Sequence, residues 1–192
     1  MKREIRILGF DDGPFVPRTK GKAIVIGVVT RGGGILDGVI KAEVTIDGLD
    51  ATDVLVEKIN ISKHKPQLRV IMLNGITLAG FNLVDIVELN KRTNLPVIVV
   101  NRKRPNFQKI KKALRRFDDF ERRWEIVKRA GNIKRVEVKT GKFIFFQCVG
   151  VEDAKASEII KLSCTHSLIP EPLRLAHLIA SAVIKGESGG RP

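Results

Sequence analysis

Two short and almost wholly apolar segments constrain the fold of this chain most strongly. They cover residues 68–73 and residues 96–100, and Asn74-Gly75, a common turn dipeptide, follows the first of them. Both are far shorter than the roughly 20 residues that a membrane-spanning helix needs. Their lack of polar alternation is typical of strands that are buried on both faces. The two segments therefore predict central strands of a sheet that helices cover on both sides.

The remaining elements follow from apolar spacing and turn residues. Further strands are predicted at residues 5–10, 23–30, 35–46, 133–138 and 142–149. Helices are predicted at residues 51–62, 83–91, 107–127, 152–162 and 172–184, and the third of these is one long amphipathic helix. The Gly-rich residues 31–34 join two strands as an antiparallel hairpin. This order predicts an α/β, ribonuclease H-like mixed sheet, in which an antiparallel meander adjoins parallel strands and helices cover both faces.

Length and composition bound the class of protein. The 192 residues suit one domain, residues 1–192, with a flexible C-terminal tail from about residue 186. No apolar run of the signal-peptide type follows Met1. The two cysteines, Cys148 and Cys164, exclude a disulfide framework. We therefore expect a cytoplasmic protein that does not associate with membranes.

The charge balance predicts a polyanionic partner. The chain carries 35 basic and 21 acidic residues, a net charge of +14. Residues 102–135 alone hold 14 Lys or Arg against 4 Asp or Glu. Such a single-sign field favours phosphate contact with DNA or RNA, although a basic surface that serves solubility is the alternative. The predicted nucleic-acid contacts are Arg102, Lys103, Lys111, Lys112, Arg115, Arg116, Arg122 and Arg123.

Aromatic residues give the basic segment little further support as a base-stacking surface. Tyrosine is absent, and Trp124 falls in the apolar stripe of the predicted long helix. A stacking platform for bases therefore has only weak support from the sequence.

Carboxylates and one amide follow predicted strands or begin a predicted helix. Asp11 and Asp12 end the first strand, Asp50 and Asp53 begin the first helix, and Asn74 ends the fourth strand. If the first and fourth strands are parallel neighbours, their carboxyl ends meet at one edge of the sheet, where ligands bind. Oxygen ligands converging there predict a divalent-metal site that acts on a phosphodiester. Each residue also has a structural interpretation, as a turn residue or as part of a capping box, and both interpretations stay open.

The three histidines are scattered along the chain. His64 lies near a predicted loop, and His166 and His177 lie near the last helices. Cys164-Thr165-His166 has no second ligand pair, which argues against a zinc site. We interpret each histidine as a surface or capping residue.

Several motifs resemble endonuclease V in their order and spacing, and resemble still more closely an uncharacterised, mostly archaeal family related to it. The resemblance covers essentially the whole chain. Its segments are Gly9-Phe10-Asp11-Asp12-Gly13-Pro14-Phe15, Asp47-Gly48-Leu49-Asp50-Ala51-Thr52, Val70-Ile71-Met72-Leu73-Asn74-Gly75-Ile76, Gly80-Phe81-Asn82, Leu95-Pro96-Val97-Ile98-Val99-Val100 and Ile169-Pro170-Glu171-Pro172-Leu173-Arg174-Leu175-Ala176-His177.

The resemblance implies a fold and a chemistry. Endonuclease V has a ribonuclease H-like fold and cuts nucleic acid near deaminated purines with magnesium held by acidic residues. On this basis Asp11, Asp53, Asn74 and Asp153 are the implied catalytic residues, with Asp50 a second match for the helix position of Asp53. Arg102 is implied to face phosphate. The implied cofactor is Mg²⁺ or Mn²⁺.

The chain also departs from the nuclease pattern. Asn74 is neutral where the nuclease has a carboxylate, so the metal is expected to be weakly bound. The histidine expected shortly after that position is absent, and the nuclease's aromatic-proline wedge is not found.

Three classes of function remain on the sequence alone. The first is a metal-dependent nuclease of the endonuclease V type that acts on modified or structured nucleic acid. The second is a non-catalytic nucleic-acid-binding protein on the same fold. The third is an enzyme that acts on a small phosphorylated substrate at the same sheet edge. The sequence does not indicate an oligomeric state.

Overall fold

The computed structural model describes residues 4–188, and in this range one large sheet dominates the fold. Its strands lie in the order β3-β2-β1-β4-β7-β9-β8. Their bounds are β1 (Arg6–Asp12), β2 (Lys22–Arg31), β3 (Ile35–Thr45), β4 (Val70–Asn74), β7 (Val97–Asn101), β8 (Lys134–Lys139) and β9 (Lys142–Val149). A separate small hairpin consists of β5 (Thr77–Leu78) and β6 (Asn82–Leu83), and the sequence had not indicated it.

Helices cover both faces of this sheet, as predicted. They are α1 (Ala51–Asn60), α2 (Ile86–Thr93), α3 (Phe107–Leu114), α4 (Phe120–Arg129), α5 (Asp153–Ser163) and α6 (Glu171–Lys185), and a short 3₁₀ helix covers Lys65–Gln67. No helix within residues 4–188 is long and apolar enough to cross a membrane. The chain leaves α6 at Gly186, whose φ of 86° suits a helix C-cap. The flexible tail predicted from about residue 186 lies mostly outside the described residues.

The predicted central strands form the parallel centre of the sheet. β4 pairs in parallel with β1 on one side and with β7 on the other. β2 and β3 extend the sheet antiparallel beyond β1, and β9 and β8 do so beyond β7. The central strands are buried on both faces, which is why their sequences are almost uninterruptedly apolar.

Side-chain alternation along β1 sorts its residues between two apolar cores. Leu8 and Phe10 pack into the core that includes α1 and α2, whereas Ile7 packs into the opposite core with α5. Asp11 therefore points to the same side as Ile7, and Asp12 points to the same side as Phe10. This alternation decides which carboxylates can share a site.

The single long helix predicted over residues 107–127 is wrong, because the structure divides it. α3 ends at Leu114 and α4 begins at Phe120. Phe117 lies in the connection, where its ring contacts Phe81 at a centroid distance of 5.9 Å. Side chains from both helices and from the connection nevertheless pack into one apolar cluster, so the apolar stripe survives the break.

Candidate active site

Asp11 and Asn74 lie side by side at the carboxyl ends of β1 and β4. Phe10 and Leu73 are register partners in the parallel pair, so the next residue of each strand falls at the same edge. The Asn74 amide nitrogen donates to Asp11 Oδ2 at 3.3 Å, and Asp11 is only 4% exposed. The adjacency that the strand order predicted is therefore present.

His177 of α6 completes this cluster. Its Nδ1 lies 3.1 Å from Asp11 Oδ2, and the hydrogen bond with Asp11 raises the pKa of the imidazole. The interpretation of His177 as a surface or capping residue is wrong. We call Asp11, Asn74 and His177 the Asp11 cluster.

The path of α6 explains why His177 reaches this position. A side chain at Gly9 would collide with Pro172 and with the backbone nitrogen of Leu173. Because glycine has no side chain, α6 can lie directly on β1. From Gly9 to Asp11 the strand advances about 7 Å, and four helical residues from Leu173 to His177 advance about 6 Å. The i, i+4 step keeps His177 on the helix face that meets the strand. The spacing points to His177 only once α6 is known to lie on β1, so the sequence alone did not identify it.

Asp12 belongs to the other face of the sheet. Its Oδ2 accepts a hydrogen bond from the backbone nitrogen of Ala79 at 2.7 Å, which links β1 to the turn between β5 and β6. Burial, together with repulsion from Asp11, raises the pKa of Asp12 to about 6. Its described contacts make Asp12 a support for the hairpin rather than a member of the Asp11 cluster.

The two predicted metal ligands at the start of α1 have other partners. Asp50 accepts from the hydroxyl of Thr45 at 2.7 Å and from the amide of Asn82 at 2.5 Å. Although burial acts to raise it, these hydrogen bonds hold the pKa of Asp50 below its usual value. Asp53 is exposed and forms an ion pair with Arg92. Neither carboxylate contacts the Asp11 cluster, so the structure does not assemble the predicted five-residue metal site.

Asp153 lies at the opposite end of the sheet. β9 runs antiparallel to β7, and its last residue, Val149, pairs with Val97 at the beginning of that strand. Asp153 follows shortly afterwards, where it forms an ion pair with Lys134. The prediction that Asp153 completes the metal shell is corrected by this antiparallel connection.

The Asp11 cluster offers a cation one carboxylate, one amide oxygen from Asn74 and one imidazole. No group of three or more His, Cys, Asp or Glu residues within the described range is arranged to hold a metal ion. Mg²⁺ commonly keeps several waters and binds through one or two carboxylates together with substrate phosphates. The donor set therefore fits a magnesium ion that shares its shell with a bound phosphate, and it does not fit a cage made by the protein alone.

The predicted phosphate-binding residues differ in their exposure and in their contacts. Arg102 and Lys103 follow β7 directly, at the same sheet edge as Asn74. Lys112, Arg115 and Arg122 are also exposed. Lys111 is half-buried, with its ammonium 5.2 Å from the centre of the Trp124 ring. Arg116 lies 4.6 Å from the centre of the Phe81 ring and 3.7 Å from Asp47.

Arg123 is a correction to the predicted phosphate contacts. It is only 4% exposed, and its guanidinium donates to the backbone oxygens of Asp47, Gly48 and Phe81. It also stacks on the ring of Phe117 at 4.0 Å. Arg123 therefore fastens α4 to the preceding loops and does not face a nucleic acid.

Comparisons with known proteins agree with this architecture. The profile of a family described as Endonuclease dU matches residues 3–184. A UPF0215 protein of Methanothermobacter thermautotrophicus is 54% identical over 99% of this chain and 93% of its own length. These matches confirm the family resemblance.

Solved structures confirm the fold. A protein of unknown function from Archaeoglobus fulgidus superimposes with a TM-score of 0.86 at 41% identity, covering 95% of this chain and all (100%) of its own. Endonuclease V of Ciona intestinalis, in complex with a 24mer DNA containing inosine followed by a ribo-adenosine, superimposes with a TM-score of 0.58 at 17% identity, covering 92% of this chain and 84% of its own. The fold is thus that of endonuclease V.

Proposed function

This chain belongs to the Endonuclease dU family, and we propose that it is a metal-dependent endonuclease that cuts nucleic acid near a deaminated base. Deoxyuridine in DNA is the first substrate to test, because the family is named for it. The observation that carries the proposal is the Asp11 cluster at the carboxyl ends of two parallel strands. This is the edge at which open α/β sheets bind their ligands.

In this proposal each member of the cluster has its own task. Asp11 would hold the cation, with Asn74 as a weaker second ligand. A bound Mg²⁺ would supply Lewis acidity toward the phosphate and would lower the pKa of water. Asp11 also orients the imidazole of His177 through Nδ1, which leaves Nε2 to exchange a proton with the reacting oxygens. Arg102 and Lys103, at the same edge, attract the phosphates.

A non-catalytic binding protein is the second candidate. Asp11 is the one carboxylate of its cluster, and Asn74 contributes no charge. A cation is attracted less strongly to such a set than to two carboxylates. The basic surface does not depend on the metal and would still bind nucleic acid.

Cleavage of end-labelled strands that contain one deoxyuridine distinguishes the two candidates. Matched strands carry thymidine or inosine at the same position, and each is incubated with Mg²⁺ or Mn²⁺. We expect the protein to cut the deoxyuridine strand and Asp11→Asn to lose cleavage while it retains binding in EDTA. Binding by the unaltered protein without cleavage of any strand would support the non-catalytic candidate.

Asn74→Asp provides the complementary gain-of-function test. The substitution places a second carboxylate beside Asp11, so we expect tighter magnesium binding by calorimetric titration and faster cleavage. Asn94→Asp, at the exposed C-cap of α2, adds the same charge at the opposite end of the sheet and serves as the control. Equal magnesium affinity in all three proteins would count against the assignment of Asn74 as a ligand.

A further inference from the structure

A cleft of about 470 Å³ lies between the residues that follow β7 and the second half of α4. Phe107, Trp124, Val127 and Ile133 line it with apolar surface, and Arg104 and Lys128 contribute positive charge. Phe107 is 39% exposed, and Trp124 is partly exposed. The apolar stripe that suggested a buried Trp124 therefore leaves part of its ring accessible, although the Lys111 ammonium lies 5.2 Å from the ring centre.

Charge distinguishes this cleft from one of similar size on the other side of α4. The second cleft, of about 450 Å³, is lined by Asp53, Asp85, Glu88 and Glu125 together with arginines. Among residues 4–188 no acidic residue lines the Trp124 cleft, although Lys128 itself forms an ion pair with Glu125. Within residues 4–188 Arg104 has no acidic partner. The Trp124 cleft is therefore the more favourable of the two for a polyanion, because the arginines of the other cleft lie beside four carboxylates.

The Trp124 cleft also lies within reach of the Asp11 cluster along one strand of nucleic acid. Asn74 is the register partner of Val100, and Arg104 follows Val100 by four residues. Adjacent strands are about 4.8 Å apart, and four extended residues span at most about 14 Å, so the backbones of Asn74 and Arg104 are no more than roughly 19 Å apart. Nucleotides advance about 3.4 Å each along one strand of a duplex, so this distance is about six nucleotides or fewer.

We propose that this cleft binds one base of a nucleic-acid strand by stacking on Trp124 and Phe107, while Arg104 and Lys128 contact the adjoining phosphates. Aromatic rings accept any base by stacking, and basic side chains that follow the backbone complete such sites. The cleft is a second subsite, separate from the Asp11 cluster. This subsite rests on the proposed function in one respect, which is that both take nucleic acid as the ligand.

Trp124 reports on its own occupancy, because the chain has one tryptophan and no tyrosine. The experiment titrates the protein with an eight-nucleotide thymidine strand in EDTA, where metal-dependent cleavage cannot occur. We expect saturable quenching of the Trp124 emission. An abasic strand with the same number of phosphates is the matched control, and it should bind by charge without quenching. Equal quenching by the two strands, or binding of the thymidine strand without quenching, would overturn the proposal.

Substitutions separate stacking from a general effect on the fold. Trp124→Leu should lower the affinity for the thymidine strand about 5- to 150-fold, the range expected from loss of one stacked base. Trp124→Phe should bind the strand with nearly the affinity of the unaltered protein. Affinity is measured by anisotropy of a labelled strand, with the circular dichroism spectrum as the check on folding. If the Leu variant does not fold, the abasic comparison decides alone. Quenching is measured in EDTA and does not require cleavage, so it can be observed even if the nuclease proposal fails.

Discussion

At the scale of single residues, the structure brings together only a few of the polar side chains that the sequence predicted as site residues. Asp11 and Asn74 could be predicted because each ends an apolar strand, and strand ends are where side chains converge. Asp50 and Asp53, at the start of the first helix, were predicted as ligands as well, yet hydrogen bonds and an ion pair engage them elsewhere. His177 was missed because a histidine in an otherwise ordinary helix carries no local signal. Its role depends on the contact of α6 with Gly9, which is a tertiary feature.

His177→Gln should reduce cleavage of the deoxyuridine strand by about 100-fold or more, the usual contribution of a positioned acid or base. Glutamine retains a hydrogen-bond donor toward Asp11, so strand affinity in EDTA should change little. The raised pKa keeps more of the imidazole protonated near neutral pH, and this form is lost as the pH rises through the folded-state value. A pH profile of cleavage should therefore lose its histidine-dependent limb in the variant. An unchanged profile and rate would remove His177 from the mechanism.

Asp12→Asn should stabilise the protein at pH 8. Burial and Asp11 raise the pKa of Asp12 from 3.8 to about 6, so the folded state holds a proton that the unfolded state has already lost between these values. Stability therefore falls as the pH rises through this window. A shift of about two units corresponds to at most about 3 kcal/mol above pH 6. Thermal unfolding at pH 8 and pH 4 measures this difference in stability. The unaltered protein and Asp12→Asn should have similar stabilities at pH 4.

Asp50→Asn is the matched control for this prediction. The pKa of Asp50 is lowered by its hydrogen bonds, so its carboxylate contributes stability above the unfolded pKa that is lost at lower pH. This variant should be less stable than the unaltered protein at pH 8. Destabilisation by both substitutions would contradict the assigned sign for Asp12.

At the scale of elements, nearly every strand and helix could be predicted, but the continuity of one helix could not. Ile110, Leu114, Phe117 and Trp124 keep helical spacing across the break between α3 and α4, because all of them pack into one cluster. The β5–β6 hairpin could not be predicted from the sequence pattern for a different reason. Its strands have two residues each, and its turn relies on positive φ values at Ala79 and Gly80.

Arg123→Met should destabilise the fold by roughly 3 kcal/mol, because it leaves buried backbone oxygens without a charged donor. The exposed neighbour Arg122 is the control, since Arg122→Met should change the unfolding free energy by no more than about 0.5 kcal/mol. Urea unfolding at fixed pH compares the two variants. Equal effects would show that Arg123 does not hold α4 in place.

At the scale of the whole molecule, sheet order and charge act together. The parallel pairing of β4 with β1 and with β7 was predictable from apolar runs, and it places the Asp11 cluster and the residues after β7 at one edge. Net charge predicted a polyanionic partner but could not say which basic residues face outward. Arg123 is buried while Lys112 and Arg115 are exposed, although all three lie in the same basic segment.

The salt dependence of DNA binding should follow these exposed residues and not the net charge. Each phosphate contact contributes about −0.9 to the slope of log affinity against log salt for duplex DNA. Replacing Lys112, Arg115 and Arg122 with Gln should therefore make that slope shallower by about 2.7 if each contacts one phosphate. The control replaces three lysines that lie near glutamates, namely Lys41, Lys58 and Lys155, with Gln. This replacement lowers the net charge by the same amount. Anisotropy titrations of a labelled duplex across a salt series compare the two triple variants. The same change of slope in both would mean that the affinity reflects overall charge, with no defined phosphate-binding surface on the basic segment.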